Sequence, residues 1–311
     1  MFIISLSLVF TFLICILRIS FFTLVERKIL AHLQLRQGPN KVRIRGVFQP
    51  FRDAIKLFRK ESFIPRNSNQ WIFVGSRIII LWLALILWTL YVSHNPIYYL
   101  EYGILLFIVI SRLRVYRTLL AGWSSNSKYA FLGGVRSIAQ TISYEIVAGF
   151  ILLEICLFFF RYNMGLNIFE GGGVGFLFIG GLFFFWFLSI LAETNRTPFD
   201  FVEGERELVR GFNVEYRSEK FVLIFMAEYL NIIFVRLLTS SLFLYSLLGG
   251  LGVYLGTLFF RYMVIYIRAR LPRVRLDVIM KFFWESALPF VLGIFFFVAI
   301  FFYFFLFIRN S

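Results

Sequence analysis

An all-α, polytopic membrane protein with about eight transmembrane helices and one amphipathic helix on the surface is the fold class that this sequence predicts. Three observations carry that reading. Hydrophobic residues make up 60% of the 311, 43 of them Phe, and the mean hydropathy is +0.81, more apolar surface than a soluble domain of this length can hide. Apolar runs close to the roughly 20 residues that a bilayer core requires fall at about residues 2–24, 71–92, 103–123, 137–160, 174–193, 221–244, 247–267 and 284–308. The period-two alternation of a membrane β-barrel is absent.

Taken in order, the first run is too long, and too poorly followed by a small-residue cleavage site, to be a removable signal peptide, so it reads as the first span. In the loop after it, the segment 48–58 puts Phe51, Ile55 and Phe58 on one helical face, which predicts an amphipathic helix lying along the membrane surface. With eight alternating spans, residues 25–70, 124–136, 194–220 and 268–283 share one side, and the short connections near 93–102, 161–173 and 245 share the other with both termini. The first side collects Arg27, Lys28, Arg36, Lys41, Lys56, Lys128, Arg136, Arg196, Lys220, Arg268, Arg273 and Arg275, so it faces the bacterial cytoplasm or the mitochondrial matrix. Gly171 to Gly175, on the far side, reads as a flexible turn before the fifth span. Residues 1–311 thus read as a single integral membrane domain whose polar feature is an acidic loop at 193–220.

That loop concentrates the chemistry. Residues 192–216 hold six of the 17 acidic residues, and carboxylates set against membrane are expensive unless they serve a purpose. Glu203 and Glu207 share a face if the segment is helical, where they repel and titrate as a coupled set. Pro198, Phe199, Phe201, Val202, Leu208, Val209 and Phe212 make the loop too apolar to be a solvated acidic tail. Inside the spans lie Glu145, Glu154 and Glu228, and Glu193 closes the fifth. Taken singly, each reads equally well as a hydrogen-bonded structural residue or as a proton relay; four in one bundle, leading into an acidic loop, favour the relay.

Other chemistries are thinly supported. Cys15 and Cys156 sit deep in separate apolar runs, and His32 and His94 fall on opposite sides, which excludes the usual iron–sulfur and bis-histidine haem ligation by this chain alone. No phosphate-cradling glycine loop and no nucleophile–base pair in a diagnostic context occurs. A complete catalytic centre is not expected here.

Four segments resemble a known family. Glu26-Arg27-Lys28 with Gln34-Leu35-Arg36-Gln37-Gly38-Pro39-Asn40, residues 122–130 through Gln140-Thr141-Ile142-Ser143-Tyr144-Glu145, the acidic loop from Glu193 to Tyr216, and Pro272-Arg273-Val274-Arg275 are similar, in order and over nearly the whole chain, to the family of chain 1 of NADH:ubiquinone oxidoreductase, a membrane subunit of respiratory complex I with a bacterial counterpart. The resemblance implies eight spans in the mitochondrial inner membrane, or the plasma membrane of a bacterium. It also implies a tunnel for ubiquinone shared with peripheral quinone-site and iron–sulfur subunits, small membrane subunits alongside, and FMN and iron–sulfur clusters carried by partners, with no cofactor held by this chain. By the same resemblance Arg27, Arg36, Asp53, Phe225 and Arg275 line or support the tunnel. Glu145, Glu193, Glu203, Glu205, Glu207 and Glu228 form the acidic path towards the proton-pumping subunits, with Arg136 and Arg196 as counter-charges. The equivalent membrane subunit of a related membrane-bound hydrogenase is the alternative; a freestanding transporter is disfavoured because no inverted repeat is visible.

Arginine is where the chain departs from the family. The family has Ser at two acidic-loop positions that hold Arg206 and Arg210, and Arg18, Arg77, Arg112, Arg114, Arg117, Arg236 and Arg261 stand in apolar runs. An arginine at the centre of a span costs about 2.5–3.5 kcal/mol on insertion scales. A single cause accounts for the pattern: an animal mitochondrial gene in which AGA and AGG specify serine, written out in the standard code. Serine at those nine positions and at Arg43, Arg45, Arg52, Arg59, Arg66, Arg161 and Arg217 removes 16 positive charges and takes the formal net charge from +15 to −1. The basic balance is for that reason no sign of nucleic-acid binding.

Overall fold

The computed structural model describes residues 2–41, 46–90, 100–159, 174–200 and 211–310. Among these, every regular element is helical: α1 (Phe2–Leu33), α2 (Gln49–Arg59), α3 (Gln70–Thr89), α4 (Gly103–Ser124), α5 (Lys128–Phe159), α6 (Val174–Glu193), a 3-10 turn at Gly211–Asn213, α7 (Glu219–Arg270), and α8 (Leu276–Lys281), which runs through a π-helical turn at Phe282–Ala287 into α9 (Leu288–Asn310). Six stretches are long and apolar enough to cross a membrane: Leu6–Leu33, Gln70–Thr89, Lys128–Leu157, Glu219–Leu244, Gly249–Arg270 and Leu276–Phe301. The apolar α6 spans 20 residues, and α4, at 22, is set apart by the charges of Arg112, Arg114 and Arg117. These two apolar helices stand at the remaining runs that the sequence reading counts as spans. In lipid only a helix satisfies its own backbone polar groups, which is why the bilayer selects this architecture.

Several boundaries differ from the apolar runs, α5 starting at Lys128 rather than near 137 and the last span at Leu276 rather than near 284. Helix α1 continues to Leu33, well past the run ending near 24, because Glu26, Arg27 and Lys28 are good helix formers and Glu26 finds buried partners. Helix α7 contains two spans in one helical stretch, broken at Gly249, whose φ of +60° suits glycine. The amphipathic α2 forms as expected, with Pro50 in its first turn; none of its residues is buried, Ile55 and Phe58 are exposed, and Phe51 meets Phe21 of α1 edge-on at 6.0 Å.

Helices in lipid gain nothing from hiding apolar surface and associate through close packing instead. Glycines provide the approach: a Cβ on Gly122 would lie 2.8 Å from the Ala130 carbonyl oxygen, drawing α4 against α5, and one on Gly133 would lie 2.6 Å from the Gly211 Cα. Aromatic side chains fill the rest, with Phe73 stacked on Tyr216 at 4.4 Å, Trp88 edge-on to Phe234 at 5.9 Å and Phe183 edge-on to Phe243 at 5.0 Å. Such pairs add about 0.5–1.5 kcal/mol each beyond contact area. The outer faces of α1 and α9 stay exposed at Leu6, Val9, Phe10, Leu13, Phe296, Phe297 and Ile300, as lipid-facing sides must.

Candidate functional site

Helices α4, α5, α6 and α7 bring three of the expected carboxylates round two adjoining cavities. The first is lined by Arg112, Arg114, Tyr144, Glu145, Ser189 and Glu193, among others. The second is lined by Arg114, Arg117, Thr141, Glu193, Glu228 and Asn231, among others. Glu193, the last residue of α6, belongs to both walls, with Glu145 of α5 on one side and Glu228 of α7 on the other. Each cavity has room for about one or two waters by volume, and its polar lining is what a hydrated site requires.

The supports of this region explain its geometry. Gln140, one turn before Tyr144 and Glu145, donates from Nε2 to the carbonyls of Ala192 at 3.0 Å and Phe199 at 3.1 Å, fixing the end of α6 and the loop beyond it to α5. Arg114 forms a buried ion pair with Glu193. Glu145 Oε1, at the first cavity, and both side-chain polar atoms of Asn231, at the second, meet no hydrogen-bond partner within the protein. On the same helix as Glu145, Glu154 is fully buried and both of its oxygens lack a partner. Glu203, Glu205 and Glu207, with Arg206 and Arg210, lie outside the described residues.

The residues expected at the tunnel are distributed over four places. Arg27 Nη1 donates to Asp53 Oδ2 at 2.8 Å, and Gln49 Nε2 donates to Asp53 Oδ1 at 2.9 Å, so this pair joins α1 to the amphipathic α2. The Arg36 Nε donates to Gln34 Oε1 at 2.9 Å on an exposed turn. Phe225, half-buried, lies against Tyr229 with ring centres 4.4 Å apart. Arg275 immediately precedes α8 and is exposed.

A second cluster, to which the sequence alone assigns no role, centres on a buried carboxylate with three partners. Glu26, 4% exposed, accepts from Arg196 Nη1 and Arg268 Nη1, each at 2.5 Å, and from the Tyr229 hydroxyl at 3.1 Å. The Arg196 guanidinium also lies 4.3 Å from the centre of the Tyr229 ring. Burial alone would lower the pKa of Arg196, but the Glu26 carboxylate outweighs it and holds the guanidinium charged, above its ordinary range. One acidic side chain thereby joins α1, the loop after α6 and the end of α7. Arg196, expected as a counter-charge of the acidic path, pairs with Glu26; Arg136 is half-buried on α5. The only sequence signal was a charged triplet at the end of an apolar run, and Glu26 is 170 and 242 residues from its partners.

Around this cluster the loop is pinned at further points. Arg273 reaches Asp200 at 3.2 Å, the Val274 amide donates to the Pro198 carbonyl at 3.1 Å, and the Tyr216 hydroxyl donates to the Ala121 carbonyl at 3.0 Å. Burial raises the Tyr216 pKa, keeping that phenol a donor. Among the described residues no group of three His, Cys, Asp or Glu could hold a metal ion.

The family model described as NADH dehydrogenase matches residues 6–299. The chain is 45% identical over 293 residues to NADH-ubiquinone oxidoreductase chain 1 of Aedes aegypti, covering 92% of this chain and 93% of the relative. It is 42% identical over 287 residues to the same-named protein of Balaenoptera physalus (90% of each), and 43% identical over 294 residues to that of Strongylocentrotus purpuratus (89% of each).

Proposed function

The chain belongs to the NADH dehydrogenase family, and from that premise we propose that it is the core membrane subunit of a proton-pumping NADH:quinone oxidoreductase in the mitochondrial inner membrane. Arg27, Arg36, Asp53, Phe225 and Arg275 line or support a tunnel for ubiquinone. Glu145, Glu193, Glu203, Glu205, Glu207 and Glu228 form the acidic path that couples quinone chemistry to proton movement. Arg136 is a counter-charge to that path, and Arg196 acts through Glu26. Peripheral subunits complete the quinone site and carry FMN and the iron–sulfur clusters, and small membrane subunits flank the path.

The observation that supports this reading best is the position of Glu193 in the walls of both cavities, between Glu145 and Glu228. Carboxylates that share polar cavities influence one another's proton affinity. A quinone that gains two electrons becomes a strong base, so its protonation or movement alters the field on such a set. The chain's own residues then hold and pass protons while the tunnel residues position the head group.

The test is Glu145→Gln and Glu228→Gln in the assembled complex. Glutamine keeps shape and hydrogen bonding but removes a titratable site, so assembly should persist while proton pumping per NADH oxidised falls. Pumping at the wild-type ratio in both variants refutes the path. The hydrogenase alternative requires a complex inactive towards quinone analogues; the oxidoreductase names of relatives 42–45% identical favour the first reading.

A further inference from the structure

Two populations of arginine are present, and their surroundings differ. Five ion pairs form among the described residues, and four use Arg27, Arg196, Arg268 and Arg273, none of which is among the 16 out-of-place arginines. Of the eleven described arginines that the sequence marks as out of place, Arg114 alone forms an ion pair, although Glu219 lies near Arg77, Glu228 near Arg117, and Glu26 near Arg236 and Arg261 without contact. The Arg114–Glu193 pair is the exception, and Arg112, Arg114 and Arg117 border the two polar cavities.

The buried nitrogens divide the same way. Arg77 Nη2, Arg114 Nε, Arg117 Nε and Nη1, Arg236 Nε and Nη1, and Arg261 Nε are buried and meet no acceptor. All five residues belong to the out-of-place set, and among the described residues no arginine matching the family leaves a buried nitrogen unsatisfied. A guanidinium cannot shed its proton and has five N–H groups to satisfy. Arg77 and Arg261 find only the backbone carbonyls of Phe73 and Phe22, and their guanidinium groups lie against those two phenyl rings.

A short hydroxyl would fit where the guanidinium does not. Ser76, Ser111, Thr118, Thr239, Ser240 and Ser241, neighbours on the same helices, each donate to the carbonyl three residues back at 2.7–3.4 Å. A serine needs no partner beyond its own helical turn. We infer that the native protein carries serine at positions 77, 114, 117, 236 and 261, as members of the set of 16 whose AGA or AGG codons an animal mitochondrion decodes as serine.

The consequence reaches the acidic set. Serine at 114 and 117 would join Ser111 and Thr118 in a hydroxyl stripe on one face of α4. Arg114, Tyr144 and Glu193 are common to both cavities, so shortening residue 114 merges them into one polar space bordered by Glu145, Glu193 and Glu228. This second step rests on the coupling role proposed above, whereas the residue identities do not.

The test is mass spectrometry of this subunit in the native purified complex: the intact mass, and chymotryptic and tryptic peptides covering the five positions. The expected result is an intact mass lighter than the all-arginine chain by 16 replacements, with serine read at all five. An intact mass equal to the all-arginine chain, or a tryptic peptide ending in arginine at any of the five, overturns the inference. Because the readout is a mass, loss of quinone activity would refute the functional reading and leave this one standing.

Discussion

Replacing Glu26 with Gln should destabilise this subunit more than any other single carboxylate change on the side that carries the long polar loops. The carboxylate is 5% exposed as a side chain and holds two guanidinium groups, Arg196 at 17% and Arg268 at 31% exposure. Removing one partner of a buried ion pair costs about 3–5 kcal/mol, because the remaining charge stays buried and uncompensated. Arg268, nearly a third exposed, regains water, so the loss falls at the lower end, about 3 kcal/mol. For a protein of this size 1 kcal/mol shifts the unfolding midpoint by about 2–4 °C, which predicts a fall of about 6 °C or more. The assay is thermal dissociation of the purified complex, with the amount of assembled subunit scored on a native gel. Arg27→Gln is the comparison, since the Arg27–Asp53 pair is 51% and 36% exposed and such pairs contribute about 0–1 kcal/mol. If Glu26→Gln and Arg27→Gln melt at the same temperature as the wild type, the cluster does not hold these elements together.

Three further outcomes follow from the same structure. Arg27→Gln and Arg36→Gln should raise the apparent KM for quinone with little change in kcat, and an unchanged quinone dependence in both would remove them from the tunnel. Gly133→Ala places a Cβ 2.6 Å from the Gly211 Cα; overpacking of this kind costs about 1–3 kcal/mol, so the melting temperature should fall, whereas an unaltered one would mean that the 211–213 turn is free to move. Tyr216→Phe keeps the stack on Phe73 but loses the bond to the Ala121 carbonyl, a loss of about 0.5–1.5 kcal/mol; a variant as stable as the wild type would show that this bond contributes nothing.

The bilayer made the architecture legible in the sequence. Each span must be a helix of about 20 apolar residues, so the runs could be counted, and a charge within a run stood out against them. Glu145, Glu193 and Glu228 were found that way, and so were the misplaced arginines. What the sequence could not supply was pairing. Nothing local to Glu26 shows that it meets Arg196, Arg268 and Tyr229, because helices packed side by side bring together residues hundreds of positions apart. Nothing near Gly133 shows that it meets Gly211. Period and hydropathy report how each residue faces its own helix axis, and they fix the membrane-crossing elements one at a time. Only the packing of α4, α5, α6 and α7 decided that Glu193 borders two cavities, and only the packing of the bundle, α1 and α3 included, that five arginines have buried nitrogens with nothing to bond.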